Sequence, residues 1–264
     1  MRRLCPLHVL AAALILAAMP VMAEPLTVKQ VSIVLAGAKA GEIPDFSKSD
    51  LRALDLSDLD FKGANLSGAN LYGANLARAN LAGADLSGAT LDHAIITRTN
   101  FAAAKLARAS LFDVAAYTTT GFSKAEEAPS FAGADLSGTY FQARLPRVNM
   151  RGADLSGANM GLPRAQLISP SLFLDFSGCD LTGAKLVGTD LHRTSLQFAK
   201  LVGADLSGAN LAGTDFSQAD LTGAIVTGAD LTGADVDGAI LKGVTGLDAA
   251  RGWGDAKNRD KALY

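Results

Sequence analysis

The sequence predicts an all-β protein that winds as a coil of short, straight sides. Three features support this: a large apolar residue returns every five positions, a small residue precedes it by two positions, and a turn dipeptide follows it. In GADLSGAN, residues 203–210, these places are filled by Leu206, by Ala204 and by Ser207-Gly208. A period of five fits neither regular structure, because five steps rotate a helix by about 500° and place strand residues on opposite faces. Each unit must therefore change the direction of the chain.

The residues around each central position explain how the direction changes. Asp205 stands between Ala204 and Leu206, and this apolar-polar-apolar pattern is typical of a short extended segment. Ser207-Gly208 is typical of a type II turn, which needs a positive φ at its third position, where glycine has no steric cost. One unit is thus one side and one corner. Since a single unit buries too little apolar surface to offset the entropy of ordering it, only stacked coils are stable.

Two long runs of this pattern define the domain organisation. Fourteen central positions from Phe46 to Leu111 are all apolar, and so are fourteen from Phe176 to Leu241, although only 49% of the chain is hydrophobic. The predicted segments are a signal peptide at 1–23, an N-terminal helical cap at 24–45, a repeat block at 46–111, a loop or degenerate coil at 112–130, irregular repeats with a second bulge at 131–175, a second repeat block at 176–243 and a C-terminal cap at 244–264.

Residues 63–89, GANLSGANLYGANLARANLAGADLSGA, resemble the pentapeptide-repeat family, whose motif is A(D/N)LXX. The resemblance covers roughly residues 46–241. It implies a right-handed coil with four units in each turn, whereas the spacing by itself indicates only a corner every five residues. The predicted fold class is therefore an all-β, right-handed quadrilateral β-helix (a pentapeptide-repeat solenoid), with an N-terminal capping helix and a short C-terminal helical cap.

Both ends of such a rod are expected to be covered, because an open end could pair with other chains. At the N-terminus, Thr27-Val28-Lys29-Gln30 is typical of a capping box, and apolar residues at helical spacing predict a helix over 28–40. At the C-terminus, Asp255 is predicted to cap a short helix through Leu263, with Trp253 packing on the last coil.

The pattern breaks twice between the two repeat blocks. After Leu111 the next clear central residue is Phe131, twenty positions on, which predicts a protruding loop of about 15 residues with the coil register kept. Residues 161–176 form a second predicted bulge. The central residues predicted between Phe141 and Phe176 are Leu145, Met150, Leu155, Met160, Leu167 and Leu172. Because loops on a rigid scaffold often carry function, both interruptions are candidate sites.

The first 23 residues are typical of a secretory signal peptide. Arg2 and Arg3 precede an apolar run of eleven residues, and Val21-Met22-Ala23 fits a cleavage site after Ala23. The run is shorter than the roughly 18 residues of a membrane span, so no transmembrane anchor is expected after cleavage. The predicted location is the periplasm or the extracellular medium. Only Cys179 would remain in the mature chain, which excludes an intramolecular disulfide.

The chain carries no recognisable catalytic or metal-binding motif. His93 and His192 fall in separate coils, without a second His or a Cys at metal-ligand spacing. Cys179 occupies an inward small-residue place and is predicted to be a packing residue. No serine has a converging His and Asp, and the glycines come singly, unlike those of a phosphate-binding loop. A protein that is not an enzyme, with no cofactor and no bound metal, is therefore expected.

Two charged groups are the candidate interaction surfaces. Between Leu201 and Leu241 there is no Lys or Arg but there are six aspartates, and four units per coil would stack Asp215 on Asp235. The acidic candidates are Asp205, Asp215, Asp220, Asp230, Asp235 and Asp237, and the basic candidates are Arg144, Arg147, Arg151 and Arg164. The competing interpretation of the acidic group is ordinary repeat composition, because Asp or Asn before the central residue belongs to the family's motif.

Two functions remain, and the compartment separates them. The first is a non-enzymatic exported scaffold or protein-interaction module, which binds an unknown protein or envelope component through the faces and loops of the rod and whose oligomeric state is open. The second comes from the resemblance: some members of the family are similar to duplex DNA in shape and charge and inhibit DNA gyrase. This alternative, an acidic DNA-mimic-like inhibitor of a nucleic-acid-binding protein, requires a cytoplasmic protein.

The charge of the chain makes nucleic acid an unexpected partner. Removal of Arg2 and Arg3 changes the formal net charge from −2 to only −4. A third class of function, an enzyme acting at residues 142–175, lacks candidate residues.

Overall fold

The computed structural model of the chain describes residues 25–116, 125–160 and 174–264. The predicted signal peptide, most of the predicted loop and the centre of the second bulge lie outside these residues. Arg164, Leu167 and Leu172 belong to that second bulge. In the described parts of the chain, no helix has the length and apolarity needed to cross a membrane.

The repeat blocks form a coil with four sides. Parallel bridges join residues twenty positions apart, such as Asp45 with Asn65 and Asp215 with Asp235, so four five-residue units make one coil. The number of sides that the resemblance implied is therefore confirmed. We number the faces by the first bridged residue of each: Asp45 on face 1, Asp50 on face 2, Asp55 on face 3 and Asp60 on face 4.

Each five-residue unit contributes one short side. Ala204 and Leu206 are buried, and Asp205 between them faces outward. The amide of Leu206 donates to the carbonyl of Ile225 in the next coil (2.7 Å), and the amide of Ile225 donates back to Ala204 (2.9 Å). Repetition of this unit builds one continuous apolar core inside the coil, with successive coils joined by backbone hydrogen bonds.

The corner after each side is the predicted turn. The amide of Ala209 donates to the carbonyl of Leu206 (3.0 Å), and Gly208 at the third position of the turn has a φ of +65°. The carboxylate of Asp205 accepts the amide of Ser207 (2.9 Å), which holds the start of the turn. The outward residue of the unit therefore has a structural role of its own.

Helix α1, Val28–Gly37, precedes the first coil and ends three residues before the predicted limit at residue 40. The predicted capping box is present: the Thr27 hydroxyl accepts the amide of Gln30 (3.3 Å), and the Gln30 side chain accepts the amide of Thr27 (2.8 Å). Val31 is fully buried in the same core as the repeats. The helix is thus attached to the rod through its apolar side.

The chain finishes in a coil whose sides are six residues long, which we call the closing coil. Its bridged residues are Thr245, Arg251, Lys257 and Leu263. The extra residue of each side lies in a 3-10 helix, and these are η2 (Leu247–Ala249), η3 (Trp253–Asp255) and η4 (Arg259–Lys261).

The predicted helix from Asp255 to Leu263 is therefore wrong, because these residues continue the ladders of faces 3 and 4. A six-residue period has no counterpart in the blocks above, so the repeat pattern could not reveal it. Trp253 is partly buried against the core, as predicted, and the Arg259 guanidinium lies 4.7 Å from its ring centre.

The ladder also corrects the predicted register at the first interruption. Ser130 pairs with Asn100, thirty positions before it and not twenty. Ala116 is buried in the central place on face 3, and Phe131 takes the next central place on face 4, fifteen residues later instead of five. The first insertion is thus ten residues long. The prediction that Phe131 lies one full coil after Leu111 is wrong, because Ala116 is too small to be recognised as a central residue.

The second interruption is an insertion of the same kind. Leu145 takes the central place on face 3 after a step of four residues, and its amide donates to the carbonyl of Asp175 in the coil below (2.7 Å). Met160 and Phe176 hold consecutive central places on faces 2 and 3, sixteen residues apart. Eleven residues are inserted between them. Leu167 and Leu172, the central residues predicted there, lie outside the described residues.

Two short strands mark the level of the rod between the insertions. Strands β1 (Ser110–Phe112) and β2 (Tyr140–Gln142) pair in parallel on face 2, with Ser110 opposite Tyr140. The described end of the first insertion forms 3-10 helix η1, Ala125–Glu127. The two coils that precede and follow the first insertion therefore remain paired on face 2.

Candidate interaction surface

The six predicted aspartates do not form one surface. Asp215 and Asp235 are stacked on face 3 as predicted, and Asp237 lies at the following corner. The others lie on three different faces: Asp205 on face 1, Asp230 on face 2 and Asp220 on face 4. Five of the six accept the backbone amide two positions on, at 2.9–3.1 Å. These carboxylates therefore serve the turns of the repeat.

The closing coil also supplies cations to some of them. Arg251 pairs with Asp230, and Nζ of Lys261 lies 3.4 Å from a carboxylate oxygen of Asp237. The Arg251 guanidinium, together with hydrogen bonds from Thr232, lowers the pKa of Asp230 to about 2. The lower part of the acidic stretch is thus partly neutralised within the chain.

The structure brings three of the four predicted arginines together on faces 3 and 4. Arg144 directly precedes Leu145 on face 3, Arg147 lies at the corner after it, and Arg151 lies at the corner after the next side. A terminal nitrogen of Arg144 lies 3.8 Å from Asp175, and one of Arg151 lies 3.4 Å from Asp180. Both carboxylates belong to the coil below, so these arginines link neighbouring coils across the irregular region.

Both insertions adjoin the same face. The first leaves the rod after Ala116 on face 3, and the second returns to the rod at Leu174, also on face 3. The face 3 unit of Leu145 lies between them in the stack. The two insertions therefore join the rod at opposite edges of face 3, two coils apart.

A row of aromatic side chains beside this region was not predicted from the sequence. It consists of Tyr72, His93, Phe112 and Tyr140, from four successive coils on face 2 and its corner with face 3. From each ring to the next, the centres are 5.1, 5.6 and 6.2 Å apart. We call these four residues the aromatic row. Tyr72 and Phe112 hold the same place in units forty residues apart. In a four-sided coil, residues forty positions apart lie on the same face, so this spacing could have indicated part of the row from the sequence.

Carboxylates border the aromatic row. Asp92 accepts the hydroxyl of Ser110 (2.5 Å) and the amide of Phe112 (3.0 Å). A carboxylate oxygen of Asp113 lies 3.2 Å from Nδ1 of His93. The planes of successive rings differ by 67°, 88° and 22°, so the row consists of edge-to-face and stacked ring contacts with hydrogen-bonding groups along one edge.

The aromatic row faces solvent. Tyr72 is 48% exposed, and the side chain of His93 is 40% exposed. Phe112 and Tyr140 are half-buried, and burial together with the charge of Asp92 raises the pKa of Tyr140. Like any tyrosine of ordinary or raised pKa, Tyr140 keeps its hydroxyl proton at neutral pH and can donate a hydrogen bond.

His192 and Cys179 lie outside the aromatic row. His192 contacts Asp190 of its own unit (2.8 Å). Cys179 is buried, its thiol donates to the carbonyl of Leu145 (3.2 Å), and burial raises the pKa of that thiol, which makes it a packing residue. Among the residues that the structure describes, no three His, Cys, Asp or Glu side chains are grouped to hold a metal ion.

The profile of the family described as pentapeptide repeats matches this chain in eight copies. The matches fall in residues 45–83, 74–111, 130–161, 175–211 and 204–243, which is more than half of the sequence. They stop at both insertions. No curated protein matches the chain.

Several solved structures are similar to the chain. HetL, a pentapeptide repeat protein involved in heterocyst differentiation regulation from Nostoc sp. strain PCC 7120, is 25% identical over 90% of this chain and 94% of its own, with a TM-score of 0.43. Rfr23 from Cyanothece 51142 is 34% identical over 39% of this chain and 63% of its own, with a TM-score of 0.34. QnrB1, a plasmid-mediated fluoroquinolone resistance protein, is 20% identical over 76% and 83%, with a TM-score of 0.32.

Proposed function

Because the chain belongs to the pentapeptide-repeat family, a family of right-handed β-helices that are generally structural or interaction proteins, we propose that it is a non-enzymatic scaffold that binds its partner through the middle of the rod. One observation supports this placement above the others: both insertions join the rod at the edges of face 3, two coils apart, and Phe112 and Tyr140 of the aromatic row lie on face 2 at the level of the first insertion and in the coil below it. The regular units elsewhere repeat the same small and polar residues, so they offer a partner little that distinguishes one coil from the next.

We further propose that the protein is exported. The support is the charged start, the apolar run of eleven residues and the cleavage site after Ala23. The mature protein would then act in the periplasm or outside the cell, with a protein or another envelope component as its partner.

The alternative, an acidic DNA-mimic-like inhibitor of DNA gyrase, has one observation in its favour: aspartates occupy all four faces of the second repeat block. Two facts weigh against it. Arg251 and Lys261 pair with Asp230 and Asp237, and the whole chain has a formal net charge of only −2. It also requires that the protein stay in the cytoplasm.

The test is fractionation of the native host combined with crosslinking. A photo-crosslinking amino acid replaces Ala115, exposed on face 3 near both insertions, and in a matched strain it replaces Ala107, on face 1 less than one coil away. We expect mature protein in the envelope fraction and a reproducible crosslink from position 115 but not from 107. A cytoplasmic protein with an intact N-terminus that inhibits gyrase supercoiling would establish the alternative. Identical crosslinks from both positions would contradict the proposed surface.

A further inference from the structure

The second repeat block departs from its own pattern at one place on face 3. Of its fourteen corners between residues 178 and 243, only three carry a side chain at a positive φ: Arg193, Phe198 and Gln218. Arg193 lies at the corner of faces 2 and 3, and Phe198 and Gln218 lie one coil apart at the corner of faces 3 and 4. Because the left-handed conformation is costly for a residue with a Cβ, the grouping of all three around one face indicates that these side chains have a role.

An open cavity of about 420 Å³ lies on face 3 in these coils. Its volume is within the range of small-molecule sites. The stem of Arg193 lies over Gly213 at one edge, since a Cβ added to Gly213 would be 3.4 Å from Cγ of Arg193. We call it the face 3 cavity, and two successive coils contribute its lining residues, which are Arg193, Thr194, Ser195, Gln197, Gly213 and Asp215.

A buried polar group in the wall of the face 3 cavity has no partner. In the described coils, five threonines hold inward small-residue places, and four of them donate their hydroxyl to a backbone carbonyl at 2.8 Å. The fifth, Thr194, is only 1% exposed, and its hydroxyl has no hydrogen-bond partner there. Thr214 holds the same place one coil below and does donate, to Leu191. The unmet hydrogen bond is therefore particular to the coil that forms the cavity.

The guanidinium of Arg193 is also left without an anion. It has no ion-pair or hydrogen-bond partner in the parts of the chain that the structure describes. The carboxylates of its own unit and of the coil below are already engaged: Asp190 contacts Nδ1 of His192 (2.8 Å), and Asp215 accepts the side-chain amide of Gln197 (2.5 Å). Arg193 is therefore free to pair with an anion from outside the chain.

We propose that the face 3 cavity binds a small organic anion, a carboxylate or a phosphate that carries an apolar group. The anion pairs with Arg193, because a guanidinium can donate two parallel hydrogen bonds to either oxyanion. The hydroxyl of Ser195 is a further donor inside the cavity. The apolar group lies toward the ring of Phe198, which is 64% exposed at the opposite edge of the face. This binding goes beyond the proposed scaffold function and does not depend on it.

The test follows the amide resonances of Ser195 and Gln197 by NMR during titrations of protein purified from cells expressing the full chain. Phenylacetate and phenyl phosphate carry an anion and a ring, acetate lacks the ring, and phenethylamine has a cation instead. Arg193→Gly and Phe198→Gly are the test variants, because glycine holds most corners of this block. Arg108→Gly is the matched control: its φ of +58° is close to the +57° of Arg193, but this exposed arginine lies at the corner of faces 1 and 2.

We expect saturable shifts with phenylacetate or phenyl phosphate, weaker binding of acetate, and no saturable shift with phenethylamine. Arg193→Gly should weaken binding of the anions about tenfold, and Phe198→Gly should weaken binding of the ring-bearing anions about fivefold. Arg108→Gly should bind as the unmodified protein does. The anion that binds more tightly shows whether a carboxylate or a phosphate is preferred. Absence of saturable shifts with both ring-bearing anions, or equal losses in Arg193→Gly and Arg108→Gly, would overturn the proposal.

Discussion

The two repeat blocks build the same corner with different residues. Between residues 48 and 113, and again between 178 and 243, fourteen corners have a positive φ at the third turn position. Nine of those in the first block carry a side chain, whereas the second block has only three, at Arg193, Phe198 and Gln218. The left-handed conformation costs an L-residue about 1–2 kcal/mol, because its Cβ approaches the next carbonyl oxygen. The first block is therefore the more strained of the two.

The strained corners place side chains where glycine could not. Arg78 reaches the carboxylate of Asp58 one coil above it (2.5 Å), and His93 joins the aromatic row. Glycine corners in the second block give less strain but a plainer surface. The first block therefore has a less stable backbone and a more varied set of surface side chains than the second. The candidate interaction surface lies at the lower end of the first block, where these side chains are found.

The largest effect is expected where contact as well as φ requires glycine. In Gly252→Ala, the new Cβ would lie 2.6 Å from the Thr232 Cα and 2.7 Å from its nitrogen, and backbone cannot move aside. We expect a loss of about 3 kcal/mol and detachment of the closing coil, measured by denaturation and hydrogen exchange. Gly254→Ala is the control, since nothing lies within 4 Å of its added Cβ. Equal losses in both variants would contradict the explanation.

An ordinary corner of the second block should show the conformational cost alone. The added Cβ of Gly208→Ala meets nothing within 4 Å, but φ is +65°. We expect the free energy of unfolding to fall by about 1 kcal/mol, because the reduced entropy of the unfolded chain offsets part of the strain. Urea denaturation measures it. A neutral result would show that the two blocks do not differ in strain.

The contact between the closing coil and the coil above it should weaken as the pH falls below about 4. Asp230 has a pKa lowered to about 2 by Arg251, from an ordinary value of 3.8, so its stabilisation is present above about pH 4 and is lost as the pH falls towards 2. The effect stays below about 1 kcal/mol because solvent screens the exposed Arg251. Hydrogen exchange at residue 251 between pH 2 and 5 measures it. Asp230→Asn should remove this pH dependence, and an unchanged profile would refute the assignment.

The smallest effect is expected where a first-block corner residue is replaced by the glycine typical of the second block. Ala103 occupies a first-block corner with a φ of +54°, so Ala103→Gly relieves the strain while adding entropy to the unfolded chain. We expect a net gain of about 0.5 kcal/mol in urea denaturation. The neighbouring Ala102→Gly, at an ordinary φ, should instead destabilise. If both variants lose stability, left-handed alanine is not strained here.

The unit was predictable because its contacts are local. The inward Ala204 and Leu206 and the turn at Gly208 depend on residues within one unit, so five-residue periodicity was enough. The register of the coil across the two insertions was not predictable from the sequence. Ala116 fills a central place with only a methyl group, and Leu145 follows the preceding central residue after four positions instead of five.

The candidate site was less predictable because it is assembled across coils. Asp215 and Asp235 could be stacked by counting twenty residues, and the bridge between them confirms it. The aromatic row contains a step of twenty-eight residues, from Phe112 to Tyr140, and needs the corrected register to align. Side chains that meet only through the winding of the coil leave no short motif.

The closing coil has a consequence for filament growth. Its four ladder residues pair with the five-residue coil above it, and the extra residue of each longer side is taken up in a 3-10 helix. A second copy of the molecule that stacked its regular coils beneath this one would therefore meet a surface unlike that between any two regular coils, which disfavours end-to-end polymerisation.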